Sequence, residues 1–172
     1  MIGFVLAALL GVASTTDSAC AYDRATMLAL TPEKFDQDKQ GGWRTLAAKP
    51  SCRAAAVELL ATYRKAHWGD LAPWQLHISY WHEGQVRAVM GQNKEAVPLL
   101  LAGVDPAQAI DPADYALGTV AFLQHDLEAL RAARRRMAAQ PRPAWYHKVA
   151  AETQAREHIT PQWPPNLNVL DV

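Results

Sequence analysis

The side chains best equipped for chemistry lie together in the run His77-Ile78-Ser79-Tyr80-Trp81-His82-Glu83. Two histidines and a carboxylate make a zinc ligand set. Helices that hold zinc, however, place their histidines four residues apart, on one face. Here the second histidine comes one residue later, and at about 3.6 residues per turn the two rings diverge. Glu83 falls instead at the i,i+4 spacing from Arg87, that of a helix-surface ion pair. A serine or cysteine nucleophile with a histidine base is assembled in space, not in sequence. Yet Cys52 lacks the flanks of a known cysteine nucleophile, and no serine occupies a strand-to-helix elbow. The sequence therefore assigns no catalytic residue, no metal and no cofactor. A small periplasmic hydrolase, with a site built between helical hairpins, stands as the enzymatic alternative.

Two cysteines, Cys20 and Cys52, make an even count that is compatible with one disulfide. Two separately buried thiols fit the count as well, and neither cysteine has the paired spacing of a zinc or redox motif. Arg131, Arg134, Arg135 and Arg136 form one basic cluster. Its place near a helix C-terminus lets the cations oppose the negative end of the helix dipole. Its functional reading is contact with an acidic patch on a partner. The chain carries 17 Lys+Arg against 17 Asp+Glu, for a formal net charge of +0. That balance gives no field with which to attract nucleic acid or an anionic membrane.

These residues need elements to position them, and the N-terminus sets the compartment first. Residues 2–13 are apolar apart from glycine. The run is shorter than the roughly 20 residues of a spanning helix and has the length of a signal-peptide core. Val12-Ala13-Ser14 supplies small residues for cleavage near Ser14. No Lys or Arg follows Met1, so a buried N-terminal helix is the competing reading. The expected division is a signal peptide over 1–14, a helical-repeat domain over 15–158 and an extended C-terminal tail over 159–172. It makes the protein periplasmic or secreted, without membrane insertion of the mature chain.

Ala and Leu are abundant and no long two-residue alternation occurs, so the fold class is all-α. Helices are expected over 22–30, after the Thr31 cap with Pro32 at the first helical position, and after Ser51 as a cap. Pro73 opens another, and Asn93 caps one that must accommodate Pro98 inside it. Asp105-Pro106 and Asp111-Pro112 read as further starts, and Asp126 as the next cap. Pro141 and Pro143 stop that helix, residues 145–157 form the last one, and the proline-rich end is extended.

Two segments align at a fixed offset. Gly84 falls on Gly118, Trp81 on Tyr115, Val86 on Val120, Val89 on Leu123, and Gly91 on His125. The period of 34 is the difference 118 − 84, and it is that of the tetratricopeptide repeat. A two-helix hairpin cannot bury its apolar stripe alone, so neighbouring hairpins stack. Glycine recurs mid-helix at the same place in both units, which implies close approach of the partner helix in each hairpin. Over residues 76–140 the chain resembles the tetratricopeptide-repeat family. Trp81-His82-Glu83-Gly84, the turn Gly91 and Ala96 carry the likeness, and Ala121–Leu130 makes a worn second copy. The arrangement Gly41-Gly42-Trp43-Arg44, Trp81-His82-Glu83-Gly84-Gln85 and Trp163-Pro164-Pro165-Asn166-Leu167 is also similar to a group of bacterial exported proteins. The resemblance implies antiparallel hairpins stacked as a short array whose first helices line a groove. Its groove positions fall on Trp81, Gln85, Tyr115 and Thr119. The function this implies is protein binding in the periplasm, as an adaptor or an immunity-like protein with no chemistry of its own. Packing of Trp81 and Tyr115 against the neighbouring hairpin is the competing reading of those two aromatics.

Overall fold

A computed structural model describes residues 18–104 and 112–171. The expected signal peptide and the caps Asp105 and Asp111 lie outside the described residues. The fold is all-helical, with no strand among the described residues.

The N-terminal third is a set of short turns folded over one long helix. Asp23 caps α1 (Arg24–Leu28), accepting from Thr26 N at 3.1 Å. This helix is shorter than its expected span at both ends. Thr31 Oγ1 accepts from Lys34 N, and a π-helical turn over Glu33–Gln37 follows. Gly42 sits at φ +52°, where any Cβ would collide with the carbonyl of Phe35. It turns the chain into α2 (Arg44–Ala47). Ser51 does not cap the next helix, contrary to expectation. Lys49 is extended, as a residue before proline must be, and Pro50–Cys52 forms a 3-10 turn. That turn delays α3 to Arg53–Ala66. Cys52 is bonded to Cys20, with Sγ atoms 1.97 Å apart, so the 3-10 turn at Ser18–Cys20 is tied to the start of α3.

Helix α4 (Pro73–Val89) begins with proline at its first position, and Gln75 Oε1 accepts from Ala72 N at 2.9 Å. Gly91, at φ +75°, reverses the chain into α5 (Asn93–Ala102). Pro98 lies inside α5 on an exposed position, as does Lys94, the residue whose carbonyl loses its helical donor. Asn93 does not cap α5. Its side chain reaches away to donate to Leu123 O at 3.2 Å. Helix α6 (Pro112–Leu123) is followed by His125 at φ +59°, and Asp126 caps α7 (Leu127–Ala138), accepting from Ala129 N at 2.9 Å. Helix α8 (Tyr146–Glu157) comes after the prolines.

The expected extended tail is a correction. After α8 the chain stays irregular only as far as Asn166, whose φ of +64° turns it into a 3-10 helix over Leu167–Leu170. Leu170 is buried and Leu167 partly buried against α6 and α7. Two leucines with apolar surface within reach do not stay extended in water.

Three cores result. Phe35, Trp43, Leu59, Leu60 and Tyr63 fill the first, with the rings of Phe35 and Tyr63 stacked at 3.6 Å. Ala96, Leu100 and Val120 join α5 to α6. Ala121, Leu130, Met137 and Leu170 join α6, α7 and the tail. Within the α4/α5 pair, a Cβ on Gly84 would meet Leu100 and one on Gly103 would meet Trp81. The register falls along one helix as it rises along the other, so the two run antiparallel.

Candidate functional site

Helix α4 organises the molecule because successive residues of one short run point in different directions. At about 100° per residue, Trp81, His82, Glu83, Gly84 and Gln85 reach five surroundings. The Trp81 ring packs on Tyr115 of α6, with centroids 5.5 Å apart. His82 binds Asp36 of the π-helical turn. Glu83 is ion-paired with Arg64 of α3 and with Arg87, one turn along α4. Gly84 is pressed against α5, and Gln85 is exposed. The expected pair Glu83–Arg87 is present at 2.8 Å. Glu83 is only 2% exposed, however, and Arg64 completes its coordination while stacking on Tyr80 at 4.0 Å. A carboxylate this deep needs both cations. The sequence supplies no spacing that would connect Arg64 to Glu83, because they lie on different helices.

The polar cluster around Asp36 is the nearest arrangement to an acid–base dyad. His82 Nδ1 lies 2.7 Å from Asp36 Oδ1, and Trp43 Nε1 donates to the same oxygen at 2.9 Å. Arg44 donates to the Asp36 carbonyl oxygen, and its Nη2 lies 3.4 Å from His82 Nε2. A guanidinium can only donate, so in neutral His82 Nε2 accepts and Nδ1 carries the proton toward Asp36. Burial pushes the Asp36 carboxyl up. The hydrogen bond from His82, the charge His82 carries when protonated, Trp43 and the nearby Arg44 outweigh it, and the carboxyl is held below its usual range. Burial, then the Asp36 charge, raises the Tyr63 phenol to about 12. The base face of His82 is thus turned to Arg44 and not to a hydroxyl or thiol. What the cluster does is clamp the Gly42–Arg44 turn to α4. His77, meanwhile, lies 2.9 Å from Ala102 O through Nδ1, and no His, Cys, Asp or Glu group converges to hold a metal among the described residues.

A groove opens where α4, α6, α7 and the tail meet, with a volume of about 440 Å³. Gln85, Tyr115 and Thr119, three of the four expected groove residues, line it. Thr119 Oγ1 donates to Tyr115 O at 2.9 Å, so its hydroxyl proton is already committed within α6. Trp81 stands aside. Its Cβ lies so close to Gly103 that α5 covers it, and its ring supports Tyr115 from the neighbouring depression. The sequence reading missed the apolar rim: Val89 is 63% exposed, Phe122 53% and Val169 51%. Phe122 also borders a second depression, beside Leu127. Val89 is itself a repeat-matched position, Phe122 adjoins the matched Leu123, and Val169 lies outside the repeat, so the period alone does not distinguish rim from core.

The basic cluster divides. Arg136 pairs with Asp114 at 2.6 Å, and Arg134 with Asp171 of the tail. Arg131 and Arg135 are exposed and form no ion pair with a described residue. Comparison with protein-family models, curated proteins and solved structures returns no match.

Proposed function

We propose that the chain is an exported helical-repeat protein that binds another protein through the α4/α6 groove, acting as a periplasmic adaptor or immunity-like protein. The observation that carries this reading is the apolar rim supplied by Val89 of α4 and Phe122 of α6, each more than half exposed beside a depression of about 440 Å³. Apolar surface gathered around a concavity is characteristic of interaction sites, whereas scattered apolar residues need no explanation. Tyr115 and Gln85 add polar handles of the kind that fix orientation in a recognition site.

The tetratricopeptide-like part of the proposal draws support from three places. Helices α4/α5 and α6/α7 form successive pairs. The turns between them carry left-handed residues, Gly91 and His125, at the repeat offset. Trp81 and Tyr115, equivalent in the two units, touch, as first helices of stacked hairpins do. The Cys20–Cys52 bridge favours an oxidising compartment, in keeping with export.

The test uses the immobilised protein to capture proteins from periplasmic extract. The parent should retain a defined protein, and the Val89→Glu, Phe122→Glu variant should lose it while keeping its helical signal, since both side chains are exposed. Equal retention by parent and variant would sink the proposal.

A further inference from the structure

The C-terminal segment is seated in the molecule as a bound peptide would be. Its outer end is tacked down by Trp163 Nε1 donating to Gln140 O at 3.0 Å and by the Tyr146 hydroxyl donating to Gln162 O at 2.6 Å. The next residues cross α6 and α7. Leu170 is 4% exposed and lies over Gly118, where a Cβ would come within 2.8 Å of Leu170 Cδ1. Asp171 accepts from Arg134 Nε. Leu167 is partly buried on the same core, while Asn168 and Val169 between the anchors are exposed. One buried leucine, a second leucine three residues earlier and one carboxylate thus hold the segment. That is the content of a short linear recognition motif.

Gly118 singles this seat out from ordinary tail packing. Mid-helix glycine loses about 1 kcal/mol against alanine. Contact between α6 and α7 does not require it, because a Cβ at 118 would stand 3.5 Å from that of Ala133, an ordinary separation. Only the side chain that drops into the notch does. The notch is also continuous with the open groove, since Val169 and Leu170 line it alongside Tyr115 and Phe122. Arg131, one turn before Arg134 and without an ion pair to a described residue, extends the positive charge on that side.

We propose that residues 167–171 are a cis-bound occupant of a peptide site, and that the partner presents a segment of the same chemistry. That segment places one leucine in the Gly118 notch, a second leucine three residues before it and a carboxylate on Arg134. The proposal rests on the groove reading and narrows it. A tethered segment acts at an effective concentration in the millimolar range, so the tail masks the site until a partner displaces it.

The test is binding of a fluorescent synthetic peptide of residues 160–171 to the full chain, by anisotropy. The tail-loosened variant Leu170→Ser should bind it at least about tenfold more tightly than the parent, because the competent state is no longer occupied in cis. Adding Gly118→Leu to that variant should abolish binding, and adding Arg134→Glu should weaken it about tenfold. Equal binding by parent and Leu170→Ser, or binding indifferent to Gly118→Leu and Arg134→Glu, would overturn the proposal. So would loss of the helical circular-dichroism signal in Leu170→Ser, since a displaceable occupant is not needed for folding. Capture of a protein that depends on Val89 and Phe122, with no binding of this peptide, would overturn the cis-occupant proposal and leave the groove reading standing.

Discussion

Adding one methyl group at Gly84 sets two effects of opposite sign against each other. Helix propensity alone favours Gly84→Ala by about 1 kcal/mol. Packing opposes it, because the new Cβ would lie 2.9 Å from Leu100 Cγ and 3.0 Å from Leu100 N. The leucine side chain has nowhere to turn, being fully buried, and the backbone nitrogen moves only if α5 moves with it. Overpacking of this kind costs about 1–3 kcal/mol. The net expectation is a loss of about 1 kcal/mol, or roughly 2–4 °C in Tm for a chain of this size. Gly69→Ala serves as the control, since no atom lies within 4 Å of its added Cβ and its φ is not positive. Gly118→Ala is the informative third variant. Its close neighbours are only the methyl ends of Leu170, on a segment proposed to be displaceable, with no backbone atom among them, so it should melt no lower than the parent. Thermal unfolding followed by circular dichroism reads all three. If Gly84→Ala melts at or above the parent, close approach of α4 and α5 is not what the glycine serves, and the reasoning fails.

Other perturbations probe the remaining parts of the structure. Cys20→Ser with Cys52→Ser opens a loop of sequence separation 32, for which the chain-entropy model gives about 4 kcal/mol; an unchanged urea midpoint would contradict this. Glu83→Gln strips Arg64 of its buried counter-charge and should cost about 3–5 kcal/mol by chemical denaturation. Asp36→Asn weakens the acceptor shared by Trp43 and His82, for about 1–3 kcal/mol near neutral pH. The Asp36 carboxyl is held below its ordinary value of 3.8, so its contribution is fully present above that value and is lost as pH falls through the lower folded one. The gap between parent and Asp36→Asn should therefore close in strong acid, and a gap that widens there would reverse the sign of the argument.

Local rules reached as far as single helices. The Asp126 cap, proline opening α4 and the left-handed turn at Gly91 follow from side-chain chemistry within a few residues, and the structure has them where that chemistry puts them. The all-helical class follows from composition and period. What escaped depends on distant partners. Asn93 left its own helix end to bond Leu123, and Ser51 lost its capping place to a 3-10 turn. The tail was read from its prolines, yet its fate was decided by Leu167 and Leu170 and by a notch on another helix. The family resemblance implies a shared groove for Gln85, Tyr115 and Thr119, and these three line one depression. Trp81 was not separable from them by register alone, because what draws it aside is Gly103 at the far end of α5.

The α4/α6 groove is the proposed meeting place of this protein and its partner. Site-specific photo-crosslinking in intact native cells tests it most directly, with a photoreactive amino acid placed at Phe122 or, as a control, at the exposed Lys65 on α3. One discrete cross-linked adduct is expected from position 122, recovered in the periplasmic fraction and absent from position 65. Adducts indistinguishable between the two positions, or none from 122, would contradict it.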